Sequence, residues 1–510
     1  MEVILHMERA PPRLPPVRGE DDAAARPRVF EHEATEHFAP PPLPDRARAG
    51  PRGGARRPGS ETPDGSALRV GRPLGTGSLF GLTRGVPTPG PPILFSCLAA
   101  AVVAGLTALC YAELASAIPV SGSSYSYAYA TLGEGVAMVV AACLLLEYGV
   151  SAAAVAVGWS QYVNQLLQNL FGFQIPDALA FSPEEGGIIN VPAMVLVLLC
   201  MMLLIRGARE SAKANAVMVM IKLSVLMIFV VVGVTGWNTN NLADFAPFGV
   251  SGIWVATGGI FFSFIGLDAV STAGEEVKDP QHTMPRAIIL ALIIVSTVYV
   301  LVAVVAVAAQ PWKRFEGQEA GLAQILQDVT GSSWPGTVIA AGAIISIFSV
   351  TLVTLYGQTR ILFAMSRDGM VPSLFSKINR KTRTPVSGTI VVAIVVALLA
   401  GLIPLSKLAD LTSIGTLAAF SVVSGAVIIL RRTAPDLPRG FRVPFYPWVP
   451  IASIIFSMLV VIGLPTITFV VFGLWVSVWL AFYFLYGIKH SRLGRRPDED
   501  ALLREPTYRS

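Results

Sequence analysis

Charge is what this sequence has least of. Aspartate, glutamate, lysine and arginine make up 14% of its 510 residues, and 53% of them are hydrophobic. A soluble globular chain carries about 25% charged residues, so the deficit excludes a water-soluble domain and points to an integral membrane protein. Between Arg84 and Arg206 there is no lysine or arginine. Cysteine is equally scarce. Cys97, Cys110, Cys143 and Cys200 all lie in apolar runs without CxxC spacing, which excludes a disulfide framework and a zinc site and leaves buried free thiols. Five histidines (His6, His32, His37, His282 and His490) are scattered and form no ligand cluster. The first residues lack the long apolar core of a secretory signal. No nucleophile–base pair is spaced for catalysis. Gly75-Thr76-Gly77 is a lone GxG with no strand before it, so it is no dinucleotide fingerprint. The expectation is a protein that is not an enzyme, needs no cofactor or metal and binds no nucleic acid.

What the sequence does have is long apolar runs. About eleven of them, near 93–117, 135–165, 190–206, 212–236, 252–276, 284–309, 335–364, 386–404, 410–430, 449–463 and 465–487, approach or exceed the length that crosses a bilayer as a helix. They are unbroken, where a membrane β-barrel would show alternating segments of about ten residues. The expected fold class is therefore all-α and multi-pass. Residues 1–74, rich in proline, arginine, glycine and alanine, read as a disordered tail. A transmembrane domain follows over 75–487, and 488–510 form a C-terminal tail. Basic residues alternate between gaps. Arg206, Arg209 and Lys213, then Lys278 and Arg286, then Arg360 to Arg383, Arg431 to Arg442 and Lys489 to Arg496 mark one side. Only Lys313, Arg314 and Lys407 mark the other, with acids such as Asp177, Glu184, Glu185 and Asp244. The positive-inside rule then puts the C-terminus in the cytoplasm and starts the run at Ile93 from outside. That parity asks for one more crossing before Ile93, which the arginine-rich segment ahead of it does not supply.

The stretch that organises the rest is Ser251–Pro280. An apolar helix over Gly252–Ile265 meets Gly266-Leu267-Asp268 and then the small polar run Ser271-Thr272-Ala273-Gly274. A charged side chain at membrane depth costs about 2.5–3.5 kcal/mol on insertion scales, so Asp268 is a candidate functional acid. Unwound backbone there survives only where it lines a cavity. The competing reading is a short buried span with Asp268 at its aqueous end. Lys222 lies about ten residues into its run, deep enough for an internal proton relay to be favoured over snorkelling. Glu147 lies mid-span as well, either as hydrogen-bonded glue between helices or in contact with a ligand. Glu113 is near a helix end and reads as interfacial. Glu275 and Glu276 read as caps or partners of nearby bases.

The run YAELASAIPVSGSSYSYAYATLGE from Tyr111 to Glu134 resembles the amino acid–polyamine–organocation permeases, and within them the cationic amino acid transporter branch. So do FSFIGLDAVSTAGEEVKDPQHTMPRAI from Phe262 to Ile288 and YGQTRILFAMSRDGMVP from Tyr356 to Pro372. The resemblance covers the chain from about Gly75 to the tail. It implies an inverted five-plus-five helix repeat with two extra C-terminal helices. The first and sixth spans would be broken at mid-membrane, with the substrate bound between them. Half-helix N-termini would then face the amino acid carboxylate. On this sequence the implied substrate contacts are Gly75, Thr76 and Gly77 in the first span, Phe264, Ile265, Gly266, Leu267 and Asp268 in the sixth, and Glu147 in the third. Lys222 matches the lysine that proton-coupled members use. The implied function is secondary active transport of amino acids, expected to be cationic (arginine, lysine or ornithine), across the plasma membrane. The lipid bilayer and protons are the partners; a neutral amino acid or polyamine permease or exchanger is the alternative. The sequence departs from the family just before Gly75. Ala67-Leu68-Arg69-Val70-Gly71-Arg72-Pro73 stands where an apolar half-helix is expected, so the first span is abnormal or missing. A mis-assigned start is one explanation, and a transport-defective chain is the consequence if the half-helix is truly absent.

Overall fold

The computed structural model describes residues 82, 85–118, 123–207, 212–243, 247–266, 268, 279–379 and 384–491. All of them fall in one compact unit, Phe38–Ser510. The expectations for Gly75, Thr76, Gly77, Leu267, Glu275, Glu276, the tail over 1–74 and residues 492–510 of the C-terminal tail lie outside the described residues.

The described residues are helical, with no strand among them. This is the only arrangement besides a closed barrel that satisfies every backbone amide inside lipid. The helices are α1 Ile93–Ala117, α2 Ser123–Thr131, α3 Glu134–Leu145, α4 Ser151–Phe171, α5 Val191–Ile205, α6 Ala212–Gly233, α7 Gly249–Phe261, α8 Pro280–Ala309, α9 Gly321–Thr330, α10 Ser333–Arg367, α11 Val386–Leu402, α12 Leu405–Thr433, α13 Trp448–Ile462 and α14 Thr466–Phe482. Among the described residues seven stretches are long and apolar enough to cross a membrane, the one over Glu134–Phe171 joining α3 to α4. Four shorter apolar helices, α5, α7, α11 and α13, complete the set. Each coincides with one of the runs read from sequence.

Packing sorts the helices into two groups. In the first, α1 lies against α7 and α8. Ser96 Oγ donates to the Ile253 carbonyl at 2.8 Å across the α1–α7 contact. In the second, α4, α5, α10 and α11 pack on one another. There the Trp159 indole donates to the Ile344 carbonyl at 3.1 Å, and Asn190 caps α5 while donating to Ser160 at 2.9 Å. Helix α6 bridges α8 and α10, and α12 touches members of both groups. Hydroxyls rather than charges make many of the interhelical bonds. Thr107, Ser424 and Ser453 meet in a buried chain with 2.8 Å links that ties α1, α12 and α13. Such bonds are the usual polar glue where lipid removes the hydrophobic drive for helices to associate.

One charged contact stands out at the end of the bundle where α14 leaves for the C-terminus. Glu113, near the end of α1, is buried. It accepts from Arg431 Nε at 2.7 Å and from Arg431 Nη2 at 2.5 Å. The Val443 amide donates to the same carboxylate at 2.7 Å, and Arg439 Nε lies 3.4 Å away. The sequence read Glu113 as interfacial, near a helix end, and it does lie close to the end of α1. Its carboxylate is buried there because Arg431 of α12 and Arg439, in the segment after that helix, close over it.

Candidate functional site

Helix α7 stops inside the bundle. After Phe261 the chain tightens into one 3₁₀ turn, Phe262–Phe264, and Ile265 turns extended with φ −63° and ψ 143°. Gly266 follows at φ +96°, a left-handed conformation open to glycine and costly for a side chain. The rupture expected at Gly266 is therefore present. Helix α8 supports the broken end: the Tyr299 hydroxyl donates to the Ser263 carbonyl at 3.0 Å, and its ring meets Phe264 edge-on with centroids 5.5 Å apart. Asp268, two residues past the break, is 0% exposed.

A second irregularity faces the first. Between α3 and α4 the chain makes a π-turn, Leu146–Val150. Single π-turns inside α-helices are rare and gather at functional sites. This one carries Glu147 and Tyr148. The Tyr148 hydroxyl donates to Asp268 Oδ2 at 2.8 Å, so the second helix group reaches the broken end of the first through one hydrogen bond. Glu147 is 1% exposed. It faces Asp268, Thr416 of α12 and the Gly266 backbone. Among the described residues neither of its carboxylate oxygens meets a hydrogen-bond donor. Tyr111 of α1 also faces both acids, and its hydroxyl is shared with Ser124. Two ionised acids brought together in a low-dielectric interior repel, so the pair is balanced either by a shared proton or by a cation between them.

The structure thus brings together Phe264, Ile265, Gly266, Asp268 and Glu147, all named from sequence. Lys222 is buried in α6, 5% exposed, so its ammonium is not carried out to water along the stem. Its helix packs on α8 and α10, members of the two groups. Tyr148, Tyr111, Thr416 and the π-turn itself were not legible as site features. The one local signal was Gly149, directly after Glu147-Tyr148 in a run otherwise made of larger or helix-favouring residues. No group of three or more histidine, cysteine, aspartate or glutamate residues spaced to hold a metal occurs among the described residues.

A fold of two helix groups meeting at a broken helix with buried acids suits passage of a small polar solute, and comparison with known proteins identifies the family. The profile of the family described as amino acid permease matches residues 64–488. The chain belongs to the amino acid permease family. This permease is therefore a membrane transporter of amino acids, not an enzyme. It is 41% identical to the branched-chain amino acid permease BcaP of Bacillus subtilis over 437 residues, 85% of this chain and 93% of that one. It is 41% identical to the methylthioribose transporter of the same organism, with 85% and 94% covered. The vacuolar cationic amino acid transporter 4 of Arabidopsis thaliana is 35% identical over 72% of this permease and 62% of that chain. The relatives thus carry both neutral and cationic names, and the sequence resemblance to the cationic branch is matched by a resemblance to permeases named for neutral substrates.

Proposed function

We propose that this permease moves amino acids by proton-coupled alternating access, with the substrate held at the ruptured end of α7. The observation that carries the reading is the Gly266 break facing the π-turn, with Asp268 and Glu147 buried between two helix groups. A helix C-terminus bears partial negative charge, so the end of α7, together with the two acids, suits the substrate's α-ammonium. Phe264, Ile265 and Gly266 would supply backbone groups. Gly75, Thr76 and Gly77 of the first span would take the carboxylate. Lys222 would change protonation during the cycle. The groups α1/α7/α8 and α4/α5/α10/α11 would rock against one another about this seam. The charge alternation of the loops supports a C-terminus in the cytoplasm, and the plasma membrane is the membrane we propose.

For the substrate's side chain we favour neutral branched-chain amino acids, on the 41% identity to a branched-chain permease over 93% of its length. A second reading, a cationic substrate, is supported by Glu147 beside Asp268. A competition panel in proteoliposomes, with and without an inward proton gradient, separates them. Displacement of labelled leucine by valine and isoleucine but not by arginine or lysine supports the first, and the converse supports the second. In the same vesicles Lys222→Ala should abolish the pH dependence of uptake with protein level unchanged. Normal pH dependence would remove Lys222 from the mechanism.

A further inference from the structure

The candidate site stands on a turn that a helix does not hold unaided. In a π-turn the backbone widens from i→i+4 to i→i+5 bonding, and its carbonyls splay from the axis. Two side chains from other helices donate into this region. The Trp475 indole of α14 bonds the Ala142 carbonyl at 2.9 Å. Gln358 Nε2 of α10 bonds the Leu145 carbonyl at 3.3 Å, directly before the widened turn. The two surfaces are notched to allow this contact. A Cβ on Gly149 would lie 3.1 Å from Gln358 Nε2. A Cβ on Gly357 would lie 2.5 Å from the Tyr148 ring, the ring whose hydroxyl reaches Asp268. Gln358 is itself 7% exposed. Chemistry fixes the direction of its amide: a backbone carbonyl only accepts, so the NH₂ end faces Leu145.

We infer that Gln358 is a positioning residue for transport: its amide holds the Leu146–Val150 π-turn, and that turn aims Glu147 and Tyr148 at Asp268. The inference rests on the proposal that this face is the substrate site. Each helical residue advances about 100° around the axis, so one extra residue decides which side chains point at the seam. Helix α4 is pinned farther along by Trp159 and Ser160. The extra residue therefore cannot be absorbed by turning the whole helix. Without the Gln358 donor the widened turn slides along the helix and carries Glu147 and Tyr148 off Asp268.

The test compares wild type, Gln358→Leu and Gln358→Glu in the full-length protein. A cryo-electron-microscopy map of Gln358→Leu, which keeps the bulk and loses the donor, should show the π-turn displaced from Leu146–Val150 and the Tyr148–Asp268 bond gone. A map with both intact overturns the inference, whether or not the protein transports anything. In proteoliposomes Gln358→Leu should lose at least tenfold in Vmax/KM. Gln358→Glu can donate to Leu145 only as the protonated acid. Its uptake should therefore approach wild type at acidic pH and fall as pH rises, a profile that loss of packing alone would not produce. A pH profile parallel to wild type in Gln358→Glu also overturns the inference. Wild-type vesicles that take up no amino acid would instead count against the transport reading and leave the map to decide the role of Gln358.

Discussion

Glu319 lies in the segment between α8 and α9, outside the membrane-spanning helices. Burial, with the nearby charges of Glu185 and Asp177, pushes its carboxyl up from 4.5 to about 7. A folded-state value above the unfolded one means that the fold keeps a proton the unfolded chain releases. Stability from this group is full below pH 4.5 and is lost as pH rises toward about 7. Glu319→Gln should therefore raise the melting temperature at about pH 8 and leave it unchanged below pH 4.5. A detergent thermal melt across pH checks this, and an equal shift at both ends would contradict it. Gly266 makes a second prediction at this scale. At φ +96° an alanine costs about 1–2 kcal/mol, so Gly266→Ala should lower the melting temperature by a few degrees and cut uptake more than its stability loss explains. Uptake falling only in step with protein level would show that the conformation there is incidental.

At the scale of the element, the helices themselves were legible. Apolar runs about 20 residues long leave a membrane chain little choice of conformation, and every run contains a helix among the described residues, the one over 252–276 only as far as Phe264. The break in α7 was legible too, because Gly266 and Asp268 interrupt an apolar helix where neither belongs without a reason. The π-turn was not. One inserted residue leaves no trace in a run that is apolar on every face, as α3 is. Its supports, Gln358 and Trp475, come from 213 and 333 residues away. The Glu113 clamp was hidden for the same cause: its partner Arg431 is 318 residues distant and reads in sequence as a loop charge. That clamp makes the prediction for this scale. Removing one partner of a buried ion pair costs about 3–5 kcal/mol, whereas replacing both by apolar residues is often tolerated. Glu113→Leu and Arg431→Met should therefore each strongly destabilise the packing of α1 against α12, and the double variant should lose less than the two single losses added together. Thermal melts of the two single variants and the double variant decide. Additive losses would show that the pair does not act as a unit.

For the whole molecule, the account joins two helix groups at a seam formed by an unwound helix end on one side and a widened turn on the other. The Tyr148–Asp268 hydrogen bond is a direct link between them. Family membership gives amino acid transport and leaves open where in the fold the substrate sits. The direct measurement is the initial rate of labelled amino acid uptake into proteoliposomes holding equal amounts of wild type and Asp268→Asn, with L- and D-forms as competitors. The account predicts saturable, L-selective uptake by wild type and a loss of at least tenfold in Vmax/KM for Asp268→Asn. Full, L-selective uptake by Asp268→Asn would contradict it.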